Sequence, residues 1–176
     1  MTASVHHIEQ LSAQHAHEAL PDLVALLQDV VDAGASVGFL PPLAAEEAAA
    51  YWTGVFAAVE AGVQWLFVVR QEGQIAGTVQ LALATKPNAR HRGEVQKLLV
   101  LNSARRQGIA RALMLALEEA ALAAGRVLMV LDTRQGDPAE RLYASLGYTF
   151  AGAIPAYAAN GDGGLDPTAL YYKLLR

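Results

Sequence analysis

The residues of this chain best arranged for chemistry lie between Val95 and Ala110, VQKLLVLNSARRQGIA. Val95 to Leu101 is short, rich in branched apolar residues and closed by polar Asn102 and Ser103, which predicts a buried strand. From Ile109 the apolar residues recur at Leu113 and Leu117, with Met114 and Ala121 beside them. A helix over Arg106 to Ala124 is therefore expected, with one stripe able to pack on a sheet. Such a helix begins with unpaired backbone N–H groups and the positive end of its dipole, where Arg105 and Arg106 add charge. Gly108 and Ala110 lack bulk, so a ligand can approach the backbone, and Gly108 can take dihedrals other residues avoid. The chemistry this supports is anion binding, with phosphate as the natural guest. The same strand, loop and helix with two arginines also occurs in α/β proteins that bind nothing there, so spacing alone leaves both readings open. No Gly-Lys-Ser/Thr follows the turn and no three-glycine fingerprint is present, which argues against nucleotide hydrolysis and hydride transfer.

The elements that must position this junction follow an α/β order. Pro21 to Val31 and Ala44 to Glu60 carry helix-spaced apolar residues, with Pro41-Pro42 as a sharp stop between them. Trp65 to Val69 and Ile75 to Leu83 read as strands around the turn Gln71-Glu-Gly73-Gln, which favours an antiparallel hairpin. Val95 to Leu101, the helix after it and Val127 to Leu131 make a βαβ unit, whose two strands should be parallel. Asp137 can cap a short helix with Pro138 at its first position. Tyr148 to Ile154 and Thr168 to Leu174 read as closing strands around a Gly-Asp-Gly-Gly loop. There is no internal repeat and no long linker.

Bulk properties narrow the partners. A chain of 176 residues is large enough for one well-buried core, so a single domain over 1–176 is the simplest expectation. The net charge of −4 and pI near 5.7 give no global attraction to nucleic acid, although Arg105, Arg106 and Arg111 can still hold a small anion. Without cysteine there is no disulfide framework, thiolate metal site or cysteine nucleophile. The opening MTASVHHIEQ lacks the basic end and apolar core of a secretory signal. The uncharged stretch Leu142 to Gly161 is broken by Gly147, Gly152, Pro155 and Asn160, so no membrane span is expected. A cytoplasmic protein is the expectation. His6, His7, His15 and His17 have no acidic ligand at metal-binding spacing and read as incidental surface residues, so no metal is assigned.

Arg105-Arg106-Gln107-Gly108-Ile109-Ala110 resembles the Arg/Gln-x-x-Gly-x-Gly/Ala signature of the GNAT superfamily of N-acetyltransferases. Downstream, Asp137-Pro-Ala-Glu-Arg-Leu-Tyr143-Ala-Ser-Leu-Gly147-Tyr148 resembles that superfamily's later motif, a short helix carrying a tyrosine and ending at glycine. His91-Arg-Gly-Glu-Val-Gln-Lys-Leu, Leu131-Asp-Thr133 and Pro167-Thr-Ala-Leu-Tyr-Tyr-Lys173 are similar to a branch that includes the tabtoxin-resistance acetyltransferase. The likeness is close from about Ala89 onward and rests on element order before that. It implies a central mixed, mostly antiparallel sheet flanked by helices. It also implies acetyl-CoA as acetyl donor, with Arg105, Arg106, Gln107, Gly108, Ile109 and Ala110 gripping its pyrophosphate. Leu98, Leu99 and Val100 would offer backbone groups to its acetyl and pantetheine parts, and Asp137 belongs to the same cofactor-facing set. By the same resemblance the acceptor is a small-molecule amine, an antibiotic or amino-acid-like toxin among the options, with a protein N-terminus or lysine as the alternative. A non-catalytic acyl-CoA sensor is a third reading, and a homodimer is compatible with the family.

An acceptor amine with a pKa of about 10 arrives mostly protonated and must lose a proton before attacking a thioester. Asp132, at the expected C-terminal end of a strand, lies where open α/β sheets place functional groups and matches an active-site aspartate of the tabtoxin-resistance branch. Glu94 is the rival, since many GNAT enzymes carry a carboxylate early in the fourth strand and relay the proton through water. Asp132 is preferred, within direct or one-water reach of the amine. Either carboxylate can instead be structural, one bonding loop backbone and the other pairing with Arg92 or Lys97. Tyr143 is assigned by resemblance as the proton or hydrogen-bond donor to the departing sulfur, against a packing role in the stripe of Leu142, Tyr143 and Leu146. Backbone N–H groups near Leu99 should polarise the acetyl carbonyl, which requires a splay or bulge in that strand. Trp52, Trp65, Tyr157 and Tyr171 remain unassigned between pocket and packing.

Overall fold

The computed structural model describes residues 6–176; residues 1–5, which begin the stretch read for a secretory signal, lie outside the described residues. The elements are β1 (Ile8–Gln10), α1 (Ala13–Glu18), α2 (Leu20–Asp32), α3 (Ala45–Glu60), β2 (Gln64–Gln71), β3 (Gln74–Leu83) and β4 (Arg92–Val100). They continue with α4 (Ile109–Ala123), β5 (Leu128–Arg134), α5 (Ala139–Ser145), β6 (Thr149–Ala159) and β7 (Leu165–Leu174). The strands form one sheet in the order β1-β2-β3-β4-β5-β7-β6. Only β4 and β5 run parallel, as the βαβ pattern around α4 requires. This is the mixed, mostly antiparallel sheet that the sequence leads one to expect.

Alternating residues along each strand feed two separate cores. Val79, Leu81, Val95, Met129 and Leu131 meet Leu113, Met114 and Leu117 of α4 on one face. Leu66, Val68 and Ile75 meet Leu23, Leu26, Leu27, Trp52 and Phe56 of α2 and α3 on the other. Each such side chain contributes roughly 1.5–3 kcal/mol by leaving water. Close packing of α4 demands Gly77 in β3, because a Cβ there would come within 2.8 Å of Ile109 Cγ2 and 3.0 Å of the Leu99 carbonyl oxygen.

Several boundaries differ from the sequence expectation. Helix α4 starts at Ile109 rather than Arg106, since Arg106 (φ 62°) and Gly108 (φ 82°) are left-handed and cannot continue a helix. Helix α2 (Leu20–Asp32), by contrast, ends within a residue of the expected Val31. There the Gly34 N–H donates to the Val31 carbonyl and the Ala35 N–H to that of Val30, a glycine-centred closure. β6 passes beyond Ile154 through Pro155, tolerated because β6 is an edge strand whose register shifts between Ile154 and Ala158. The short, polar β1 and α1 carry too little periodicity to be read. None of the helices formed by the described residues is long and apolar enough to cross a membrane.

Candidate active site

β4 and β5 pair only over Arg92–Glu94 against Leu128–Val130, although β4 continues to Val100 and β5 to Arg134. The sheet therefore opens at its centre, and the facing edges beyond Glu94 and Val130 lose their ladder. A bulge in β4 lies at this opening. Its register against β3 passes from Gln96 opposite Gln80 to Leu99 opposite Thr78, leaving Lys97 and Leu98 against the single residue Val79. Lys97 is left-handed, with φ 47°. The extra residue inverts the in-and-out alternation: Val95, Leu98 and Val100 pack toward α4, whereas Leu99 belongs to the core of α2 and α3. The sequence reading asked for a splay or a bulge near Leu99, and both are present.

The loop that follows is anchored from below. Asn102 donates its backbone N–H and its side-chain amide to the Asp29 carboxylate, at 2.8 and 3.0 Å. From Gly108 to Arg111 no backbone N–H has a partner among the described residues. Helix α4 has neither a side-chain cap nor an acidic residue in its first turn. Arg105 and Arg106 are exposed and form no ion pair among the described residues. A run of free donors, a helix dipole and two unpaired guanidinium groups fit a pyrophosphate. The side chain of Ile109 is buried and Leu98 packs toward α4, so neither side chain is free to meet a ligand. Gln107 is held from two sides: its carbonyl lies 2.7 Å from His6 Nε2, and Gln71 donates to its side-chain oxygen at 2.9 Å. His6, read from sequence as incidental, thus supports this loop.

On the α3 side of the sheet a row of polar groups crosses five strands. Gln64 and Tyr51 of α3 donate to the Gln80 oxygen, Gln96 donates to Glu94 at 3.0 Å, and the Thr168 hydroxyl lies 2.9 Å from Asp132 Oδ2. Polar groups at the centre of a sheet face cost stability unless paired, which makes this row a candidate binding surface. Lys97 joins it, with Nζ 5.3 Å from the Tyr51 ring centre and 6.0 Å from that of Phe39. Burial pulls its pKa below the usual lysine range, against the opposing charges of Asp132 and Glu94. Pro41, in the loop between α2 and α3, packs on Gly161 of the β6–β7 turn, where a Cβ would come within 3.0 Å of its ring. Beneath this contact is a cavity of about 530 Å³ lined by Phe39, Arg134, Asp137, Asn160 and Asp166.

Tyr143 of α5 is 6% exposed, with ring centres of Tyr148 and Tyr171 at 5.8 and 6.1 Å. Its hydroxyl has no partner among the described residues and is not among the sealed polar atoms, so it reaches solvent. Burial, then the charges of Asp137 and Asp132, push its pKa far above the usual value. Asp137 itself caps α5, accepting from the Ala139 N–H at 2.9 Å, and pairs with Arg134 at 3.4 Å. Asp132 lies close enough to act electrostatically on both Lys97 and Tyr143, and Glu94 on Lys97.

The Acetyltransferase (GNAT) family profile matches residues 26–148. The chain belongs to the GNAT acetyltransferase family. Among its relatives is an uncharacterized N-acetyltransferase in the hisH-hisA intergenic region of Azospirillum brasilense, 37% identical over 118 residues, which span 66% of this chain and 68% of that protein. The fold is shared with an N-acetyltransferase from Staphylococcus aureus Mu50 (TM-score 0.81, 21% identity, 98% and 100% of the two chains). It is shared also with a ribosomal-protein-alanine N-acetyltransferase from Brucella melitensis (0.79, 21%, 96% and 99%). A third is yncA from Salmonella typhimurium, solved with its cofactor acetyl-CoA (0.77, 17%, 98% and 95%).

GNAT enzymes use acetyl-CoA as donor, and this one is an N-acetyltransferase. Of the unassigned aromatics, Trp52 and Tyr171 lie in the two cores of this GNAT chain, while Tyr157 is exposed. Sequence reasoning missed Tyr51, Phe39 and Gln80 and gave Lys97 only a pairing role. Gln80 was detectable, as a lone amide in the apolar run Val79 to Leu83; Phe39 and Tyr51 look like ordinary packing residues until the fold brings them to Lys97.

Proposed function

We propose that this enzyme transfers an acetyl group from acetyl-CoA to the amine of a small molecule by direct attack. The observation that carries this reading is the cleft where β4 and β5 part, with free backbone donors on one side and the polar floor on the other. The loop from Arg105 to Ala110 would hold the pyrophosphate, and the bulge at Lys97 and Leu98 would turn backbone N–H groups toward the acetyl carbonyl. Acetyl-CoA supplies an activated thioester. Asp132, oriented by Thr168, takes the amine's proton directly or through one water; the C–N bond forms, the C–S bond breaks, and the sulfur leaves as thiolate. Glu94, exposed and bonded by Gln96, serves as a relay rather than as the base.

Tyr143 hydrogen-bonds the departing sulfur. Its raised pKa makes complete proton transfer to the thiolate unfavourable, so the phenol stabilises the charge while solvent delivers the proton. The tabtoxin-resistance-like stretches favour a toxin or antibiotic amine.

Calorimetry with acetyl-CoA, combined with thiol release across a panel of amines, tests the assignment. Binding should accompany turnover on small amines, with Asp132→Asn and Tyr143→Phe sharply slower. Binding without turnover on any amine would favour a sensor, and unchanged turnover in both variants would remove Asp132 and Tyr143 from the mechanism.

A further inference from the structure

We propose that Lys97 is the anion receptor of the acceptor site, so that the amine acetylated here carries a carboxylate close to its nitrogen, as an amino acid does. The inference rests on the acetyltransferase reading above and names its substrate class.

The bulge is the starting point. In an unbulged β4, Lys97 would share the face of Val95 and enter the apolar layer of α4. The left-handed residue instead turns the side chain to the opposite face, beside the paired rings of Phe39 and Tyr51. Gly38 lies beside it, where a Cβ would stand 3.7 Å from Nζ, in ordinary contact. Yet the three donors of this half-buried ammonium find no hydrogen bond or ion pair among the described residues. Lys173 shows how the same fold treats a structural lysine, since its Nζ bonds the Glu118 carboxylate at 2.5 Å.

Charge completes the argument. Asp132 and Glu94 act on Lys97 through space without touching it, so the floor presents a cation and carboxylates side by side. An amine near Asp132 and a carboxylate on Lys97 would satisfy both, and the two aromatic rings would wall the carboxylate–ammonium contact from water, which strengthens it. An amine without an anion would leave the ammonium unpaired.

The test compares each common L-amino acid with its own carboxamide, which keeps the amine and removes the charge. The carboxamide amine is also the less basic of the two, which favours it in attack unless the carboxylate is recognised. Wild-type enzyme should prefer the best acid over its carboxamide by about 10- to 100-fold in kcat/KM, the scale of one hydrogen bond to a charged group. Lys97→Met should bring that ratio near one by raising KM for the acid. It should leave KM for acetyl-CoA within about twofold and the melting temperature no lower; Lys97→Arg should restore much of the ratio. Equal use of acid and carboxamide by wild type, an unchanged ratio in Lys97→Met, or no turnover on any carboxylate-bearing amine would overturn the proposal. Calorimetry with acetyl-CoA separates the failures. Absence of binding would overturn both readings, whereas binding with a ratio near one would remove only the role of Lys97.

Discussion

In the proposed arrangement the donor meets mainly backbone and the acceptor mainly side chains. The first region is the free N–H run from Gly108 to Arg111 and the bulge of β4; the second is the row of Gln80, Glu94, Lys97, Asp132 and Thr168 beside Phe39 and Tyr51. A backbone cradle suits a donor that never varies, because its geometry comes from helix and strand ends rather than from side-chain identity. A side-chain floor lets the acceptor change without disturbing the cradle. Substitutions in the two regions should therefore separate cleanly.

The largest effect is expected at Asp132. Asp132→Asn should lower kcat by about 10²-fold or more, the range of a lost general base, with acetyl-CoA affinity within about twofold. Glu94→Gln should cost far less. An equal loss at both positions would make them a joint relay. Tyr143→Phe comes next, with kcat down by about 10- to 100-fold, as expected for a hydrogen bond to a charged sulfur. Because burial holds the Tyr143 phenol protonated well above its ordinary pKa of 10.0, kcat should show no descending limb up to about pH 10. A Tyr143-dependent fall below that pH would contradict this role.

On the donor side the effects are smaller and fall on binding. A Cβ on Gly108 meets only His6 Nε2 at 3.8 Å, so crowding is not the difficulty; its φ of 82° is. Gly108→Val should weaken acetyl-CoA binding by about tenfold, the size of left-handed strain of about 1–2 kcal/mol, and Gly108→Asn by much less. The smallest expected change is at His6. His6→Ala removes the contact to the Gln107 carbonyl and should raise the acetyl-CoA dissociation constant by about threefold, with kcat untouched. Calorimetry on the three variants reads all of these.

The same division explains what the sequence disclosed. Arg105 to Ala110 was legible because glycine at a left-handed position and apolar spacing from Ile109 are local properties. Asp132 was legible as a polar residue at the end of an apolar strand. The bulge could not be read, since Val95 to Leu101 looks like an unbroken strand, and the shift is visible only in pairing against Val79. Nor could Phe39, Tyr51 and Lys97 be joined: they come from a loop, a helix and a strand, and only tertiary packing brings them together. His6 is tied to Gln107 across the chain, a pairing with no local signal.

A structure with CoA and an acceptor analogue tests the central claim most directly, by locating the sulfur relative to both regions. The account predicts the sulfur between the Leu98–Leu99 backbone and the Tyr143 hydroxyl, with the amine on the α3 side within direct or one-water reach of Asp132. An amine held on the α4 side, or a sulfur remote from Tyr143, would contradict it.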